Sequence, residues 1–118
     1  MKIYHNSRCR KSREALKIIQ LKGINIEIVE YLKNPIDKDE LRAILKMLKI
    51  SAFDLIRKNE SVYKKLYKGK NFSNEEWLEV ILSYPILMER PIIIKDNCAL
   101  IARPSEKVLN LIDKKNIL

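Results

Sequence analysis

Cys9 stands between Arg8 and Arg10, with Lys11 and Arg13 close behind. A thiol in such company ionises more easily, and the thiolate is the nucleophile. The polar stretch His5-Asn6-Ser7-Arg8 separates Cys9 from the short apolar run Ile3-Tyr4, and Ala15, Leu16, Ile18 and Ile19 follow at helical spacing. These patterns predict a buried strand, a turn and a helix, with Cys9 at or just before the helix N-terminus. Free N–H groups and the positive end of the helix dipole favour an anion there. They would draw an anionic substrate to the same turn. The plain alternative is an inert buried cysteine, and four cations in one turn argue against it. His5 keeps two readings: an ordinary turn residue, or a partner that lowers the thiol pKa when protonated.

Composition narrows the partners. Lys and Arg number 24 against 15 Asp and Glu, a formal net charge of +9. That balance points to oxyanions, nucleic acid or acidic protein surfaces. A length of 118 residues suits a single domain, 1–118, with a modest core. Two cysteines, Cys9 and Cys98, imply no disulfide framework, so a reducing cytoplasm is the expected location. No apolar signal-peptide core precedes the first strand and no run approaches membrane-spanning length, so no membrane partner is expected. With only Gly23 and Gly69, no glycine-rich phosphate loop is available. One histidine and two separated cysteines cannot make an ordinary zinc site, so no metal is expected.

The elements that must position Cys9 follow from the pattern. The first helix runs to about Lys22 with Gly23 as its C-cap. Ile24 to Tyr31 reads as a second strand, which completes a βαβ unit with parallel strands. Asp37 with Glu40 and Ser73 with Glu76 resemble capping boxes, and Ser51 with Asp54 restarts a short helix. Together with Tyr63, Leu66 and Tyr67 they mark a helical insertion over about 36–85, ended by Pro85. Ile92-Ile93-Ile94 and Ala99-Leu100-Ile101 flank a turn at Asp96-Asn97, a hairpin signal. A last helix starts at Arg103-Pro104-Ser105-Glu106, with Pro104 at a first helical position. Val108, Leu111 and Ile112 face inwards, and Lys114 and Lys115 suit the dipole at its end.

Three arginines form a second constellation: Arg57, Arg90 and Arg103. Taken singly, each reads as a solvated surface residue. Arg90, however, precedes the first hairpin strand and Arg103 follows the second. A hairpin brings those ends side by side, and two arginines there repel each other unless an anion or carboxylate lies between them. The guanidinium fork matches an oxyanion in bidentate fashion.

His-Asn-x-x-Cys-x-x-Ser after a short strand resembles the glutaredoxin-coupled arsenate reductases of the ArsC type. They belong to a thioredoxin-like superfamily that also holds the Spx-type transcription regulators. Those reductases carry Arg-Lys-Asn in a helical block, Arg-Pro before a hairpin and Arg-Pro-Ser after it. Arg57-Lys58-Asn59, Arg90-Pro91 and Arg103-Pro104-Ser105 are similar, in the same order. The likeness runs from Ile3 to Asp113. It implies an α/β thioredoxin-like fold, a central mixed four-stranded sheet with the helical insertion between βαβ and ββα halves. It implies catalysis by Cys9, thiolate support from His5, Asn6 and Ser12, oxyanion binding by Arg57, Arg90 and Arg103, and a cis bond at Pro91. The implied reaction is reduction of arsenate to arsenite by a monomer with no bound cofactor, glutathione being co-substrate and glutaredoxin the electron donor.

The departures are local. Ser7 replaces the family's usual proline, and Arg10 and Lys11 make the turn more basic. Ser12 leaves no Cys-x-x-Cys pair, so a resolving thiol must come from elsewhere. Cys98 is a candidate, although it falls in or near a hairpin strand. Spx-type regulators, which bind RNA polymerase without catalysis, are the alternative. Most of them carry the Cys-x-x-Cys that Ser12 denies and lack the Arg-Pro-Ser segment. A direct nucleic-acid role ranks last, because the basic residues are spread along the chain and no binding motif appears.

Overall fold

β1 (Lys2–Tyr4) is flanked on both sides by other strands, which is why its Ile3 and Tyr4 are buried. The computed structural model describes residues 1–112; Lys114 and Lys115, placed above at the end of the last helix, lie outside the described residues. The chain divides into two compact units, one made of Met1–Asn34 with the segment from Arg90 onward, the other of Pro35–Glu89.

In the first unit, β1 pairs in parallel with β2 (Glu27–Val29), Ile3 lying opposite Ile28. On its other side β1 pairs antiparallel with β3 (Ile92–Lys95), and β3 pairs antiparallel with β4 (Cys98–Ile101). The sheet order is β2-β1-β3-β4. Asp96 makes the hairpin turn with φ 56°, a left-handed conformation that Asp tolerates better than most residues. Between β1 and β2 runs α1 (Arg10–Leu21), whose buried residues Ser12, Ala15 and Ile19 share one face. Gly23 follows it at φ +71°, and its N–H donates to the Gln20 carbonyl. Ile3, Ala15, Ile19, Ile93, Ala102, Val108 and Leu111 form the core of this unit.

Two expectations change here. The predicted strand Ile24–Tyr31 shrinks to Glu27–Val29, because its partner β1 offers only three residues to pair with. Ile24 and Ile26 still pack on the core, but as irregular chain. Pro104 is not the first helical residue: its backbone is extended (ψ 164°), and it precedes a 3₁₀ turn over Ser105–Val108. Only then does α-helix follow, at Leu109–Ile112.

The second unit holds α2 (Lys38–Leu48), α3 (Ala52–Leu55), α4 (Ser61–Leu66) and α5 (Asn74–Ser83). Ser51 and Ser73 form reciprocal capping boxes with Asp54 and Glu76; Asp37 accepts the Glu40 N–H at 2.8 Å. Trp77 is the centre of the unit, with the Phe53 and Phe72 rings 5.0 and 4.9 Å away. The last residues of the insert are tied back to the end of α3: Ile56 bridges Met88, and the Glu89 N–H donates to the Leu55 carbonyl. Among the described residues, no helix is long and apolar enough to cross a membrane.

Candidate active site

The turn before α1 is built from side chains that satisfy their own backbone. The Asn6 side-chain oxygen accepts the Arg8 N–H at 3.0 Å, and the Asn6 carbonyl accepts the Cys9 N–H at 2.9 Å. Ser12, fully buried on the first turn of α1, reaches back. Its hydroxyl oxygen accepts the Asn6 N–H at 3.1 Å and lies 2.6 Å from His5 Nδ1. A hydroxyl that accepts from Asn6 has its own proton left for Nδ1, which fits a neutral imidazole protonated at Nε2. Burial holds the His5 pKa below its ordinary value; Glu30 opposes that shift and Arg13 adds to it. His5 therefore acts on the turn through Ser12, and its ring is uncharged at neutral pH.

Ser12→Ala removes one oxygen shared by two buried groups. The expected cost is about 1–3 kcal/mol, measured as a lower urea midpoint at unchanged slope. An unchanged midpoint would mean that the turn holds without the hydroxyl.

Cys9 occupies the N-cap position with extended backbone. Its sulfur closes no cap hydrogen bond of the ordinary geometry, yet the first helical N–H groups act on it. Burial works against the thiolate. The Ser12 N–H, the hydrogen bond and charge of Arg90, and the Lys11 N–H outweigh that, and the thiol pKa lies below its ordinary value. Arg90 is 6% exposed. Arg103 places Nη1 3.9 Å from the Cys9 sulfur and 3.2 Å from the Arg90 carbonyl, to which it donates. The hairpin thus brings Arg90 and Arg103 to one thiol, as their positions on its two ends imply. The Arg90–Pro91 bond is cis, and so is Arg103–Pro104, which the sequence did not signal.

No sequence pattern points to Glu14 or to its contact with Ser105. The Ser105 hydroxyl donates to Glu14 at 3.2 Å, tying the Arg103 segment to α1. No local pattern reveals a contact between residues so far apart in the chain. Arg57 belongs to the helical unit, where its N–H donates to the Leu87 carbonyl at 2.7 Å and its Nε pairs with Glu60 at 3.3 Å. Cys98 is exposed at the start of β4, opposite Lys95 at the turn of the hairpin. Arg90 and Arg103 lie beyond the other end, where Ile92 pairs with Ile101. The strand between Cys98 and Ile101 spans about 10 Å, more than a disulfide bridges. Among the described residues, no three His, Cys, Asp or Glu side chains gather into a metal site.

A thiol with a lowered pKa at a helix start, faced by two arginines, can as its thiolate attack a tetrahedral oxyanion held by those same cations. Known proteins resemble this chain in sequence and fold. The chain is 42% identical to the uncharacterised protein YfgD of Escherichia coli K12 over 95% of its own length and 96% of the relative's. It is 39% identical to an arsenate reductase of Neisseria meningitidis serogroup A, covering 92% of this chain and 94% of that one. An arsenate reductase structure from Vibrio cholerae superimposes with a TM-score of 0.87 at 33% identity, covering 92% of this chain and 96% of the other. The fold is thus thioredoxin-like, with a mixed four-stranded sheet. The family model for ArsC matches residues 4–111, and the chain belongs to the ArsC family.

Proposed function

We propose that this protein reduces arsenate to arsenite, with Cys9 as nucleophile. The observation that carries the reading is the Cys9 sulfur set against Arg90 and Arg103 with its pKa lowered. Arg90, Arg103 and the N–H groups of Lys11 and Ser12 hold the oxyanion. From the family pattern, Arg57 is assigned as a third anion-binding arginine. The Cys9 thiolate displaces one hydroxyl from arsenic, which leaves as water once protonated. A glutathione thiolate then attacks the Cys9 sulfur and the S–As bond breaks. The electron pair stays on arsenic, which departs as arsenite, and a Cys9–glutathione disulfide forms. Glutaredoxin restores the thiol by exchange. The chemistry as written uses no bound cofactor. In this reading the two units work as one functional domain, in a monomer, in a reducing cytoplasm.

The test is arsenate-dependent NADPH oxidation, coupled through glutathione, glutaredoxin and glutathione reductase. Wild type should turn over, and Cys9→Ser should fall to the uncatalysed background. Turnover that survives Cys9→Ser would overturn the mechanism. No turnover, together with a sluggish Cys9, would shift the reading to an Spx-like regulator, tested by capture of RNA polymerase.

A further inference from the structure

The chemistry above leaves one cleft of the first unit unused. It has a volume of about 240 Å³, with Asn6, Ser7 and Arg8 on one wall and Glu30, Leu32 and Lys33 on the other. The first wall is the Cys9 turn itself, held by the hydrogen bonds of Asn6 to Arg8 and Cys9. A ligand against Arg8 is one residue, about 3.8 Å along the chain, from Cys9. The second wall is the turn after β2, where the N–H groups of Lys33 and Asn34 both donate to the Glu30 carbonyl at 2.9 Å.

Both walls are therefore fixed, and they carry two cations and one anion. Lys33 pairs with Glu30 at 3.6 Å, and both side chains stay open to water. No carboxylate among the described residues pairs with Arg8. Leu32, 38% exposed, supplies an apolar contact between them. That set complements a small flexible molecule with two carboxylates and one ammonium.

We propose that this cleft is the docking subsite for the small thiol that takes over the Cys9 adduct. Arg8 and Lys33 take its two carboxylates, and Glu30 takes its ammonium. Glutathione has that charge pattern. The inference rests on reading Cys9 as a nucleophile that hands its adduct to an outside thiol. It adds where that thiol sits and which residues choose it. Arg8 and Lys33 are exposed, so each pair is weak singly, and the two together are worth about tenfold in rate.

The test uses the whole chain in a Cys98→Ala background, with Cys9 loaded as its mixed disulfide with thionitrobenzoate. An incoming thiolate attacks the Cys9 sulfur, the S–S bond breaks, and thionitrobenzoate leaves with the electron pair as a coloured thiolate. Its release is timed with glutathione, with 3-mercaptopropionate, which has the same net charge but one carboxylate and no ammonium, and with neutral 2-mercaptoethanol. For Arg8→Ala/Lys33→Ala, glutathione should lose about tenfold, 3-mercaptopropionate no more than about threefold, and 2-mercaptoethanol less than about twofold. An equal loss for both anionic thiols would mean general attraction, and would overturn the subsite. So would an equal loss for all three thiols, or none for glutathione. Arsenate does not enter this assay, so a failure of arsenate turnover strikes the substrate reading and leaves this result standing.

Discussion

Replacing Arg90 with methionine is expected to raise the pH at which the alkylation rate of Cys9 is half-maximal by about one unit. Arg90 is the cation that reaches the sulfur by both hydrogen bond and charge. A hydrogen bond to a charged group contributes about 1.5–3 kcal/mol. Solvent reaches Cys9, so the lower end applies, and one pH unit corresponds to about 1.4 kcal/mol. The sign follows from which form Arg90 favours. It stabilises the thiolate, so its removal lifts the pKa back toward the ordinary thiol range and leaves less thiolate at neutral pH. Methionine keeps much of the volume without burying an unpaired charge. The measurement is the rate of iodoacetamide alkylation against pH in a Cys98→Ala background. Arg90→Lys, which keeps the charge and loses the fork, should fall between the two. An unmoved profile in Arg90→Met would hand the effect to the helix N–H groups.

Trp77→Ala is expected to cost the helical unit about 3–5 kcal/mol, a large share of the roughly 5–15 kcal/mol that holds a domain of this size. Trp77 is 4% exposed. Besides Phe53 and Phe72, the rings of Tyr63 and Tyr67 lie 6.3 and 6.2 Å from it. Offset and edge contacts of that kind add to the plain burial of the indole. α3 and α4 are only four and six residues long, so they depend on these rings more than on their own hydrogen bonds. Far-UV circular dichroism in urea checks this, since the variant loses its only tryptophan signal. A loss under about 1 kcal/mol would mean that the other rings close over the gap.

What the sequence reveals, and what it conceals, follows the range of the interaction. The Cys9 turn, α1 and Gly23 are legible because caps, dipoles and apolar spacing act within a few residues. The hairpin is legible from Asp96-Asn97 between two apolar runs, and it carries Arg90 and Arg103 with it. The segment Ile24–Tyr31 is over-read because β propensity marks where a strand could form, while pairing length is set by the partner. The charge of His5 is not legible, since burial decides it and burial is a property of the folded chain. Glu14 with Ser105 is hidden for the same reason: a helical glutamate looks like any other until the Arg103 segment arrives beside it. Arg57 joins the other arginines by resemblance alone, as no local pattern connects them.

The hairpin that brings two arginines to Cys9 also keeps Cys98 at its far turn. A protein with two neighbouring thiols closes an internal ring when oxidised, and its redox balance then depends on the square of the reduced monothiol concentration. In the proposed cycle one protein thiol exchanges with one external disulfide and releases one external thiol. That equilibrium depends on the ratio of reduced to oxidised monothiol alone. The oxidation state of Cys9 is therefore indifferent to dilution of the surrounding pool, and follows only its degree of oxidation.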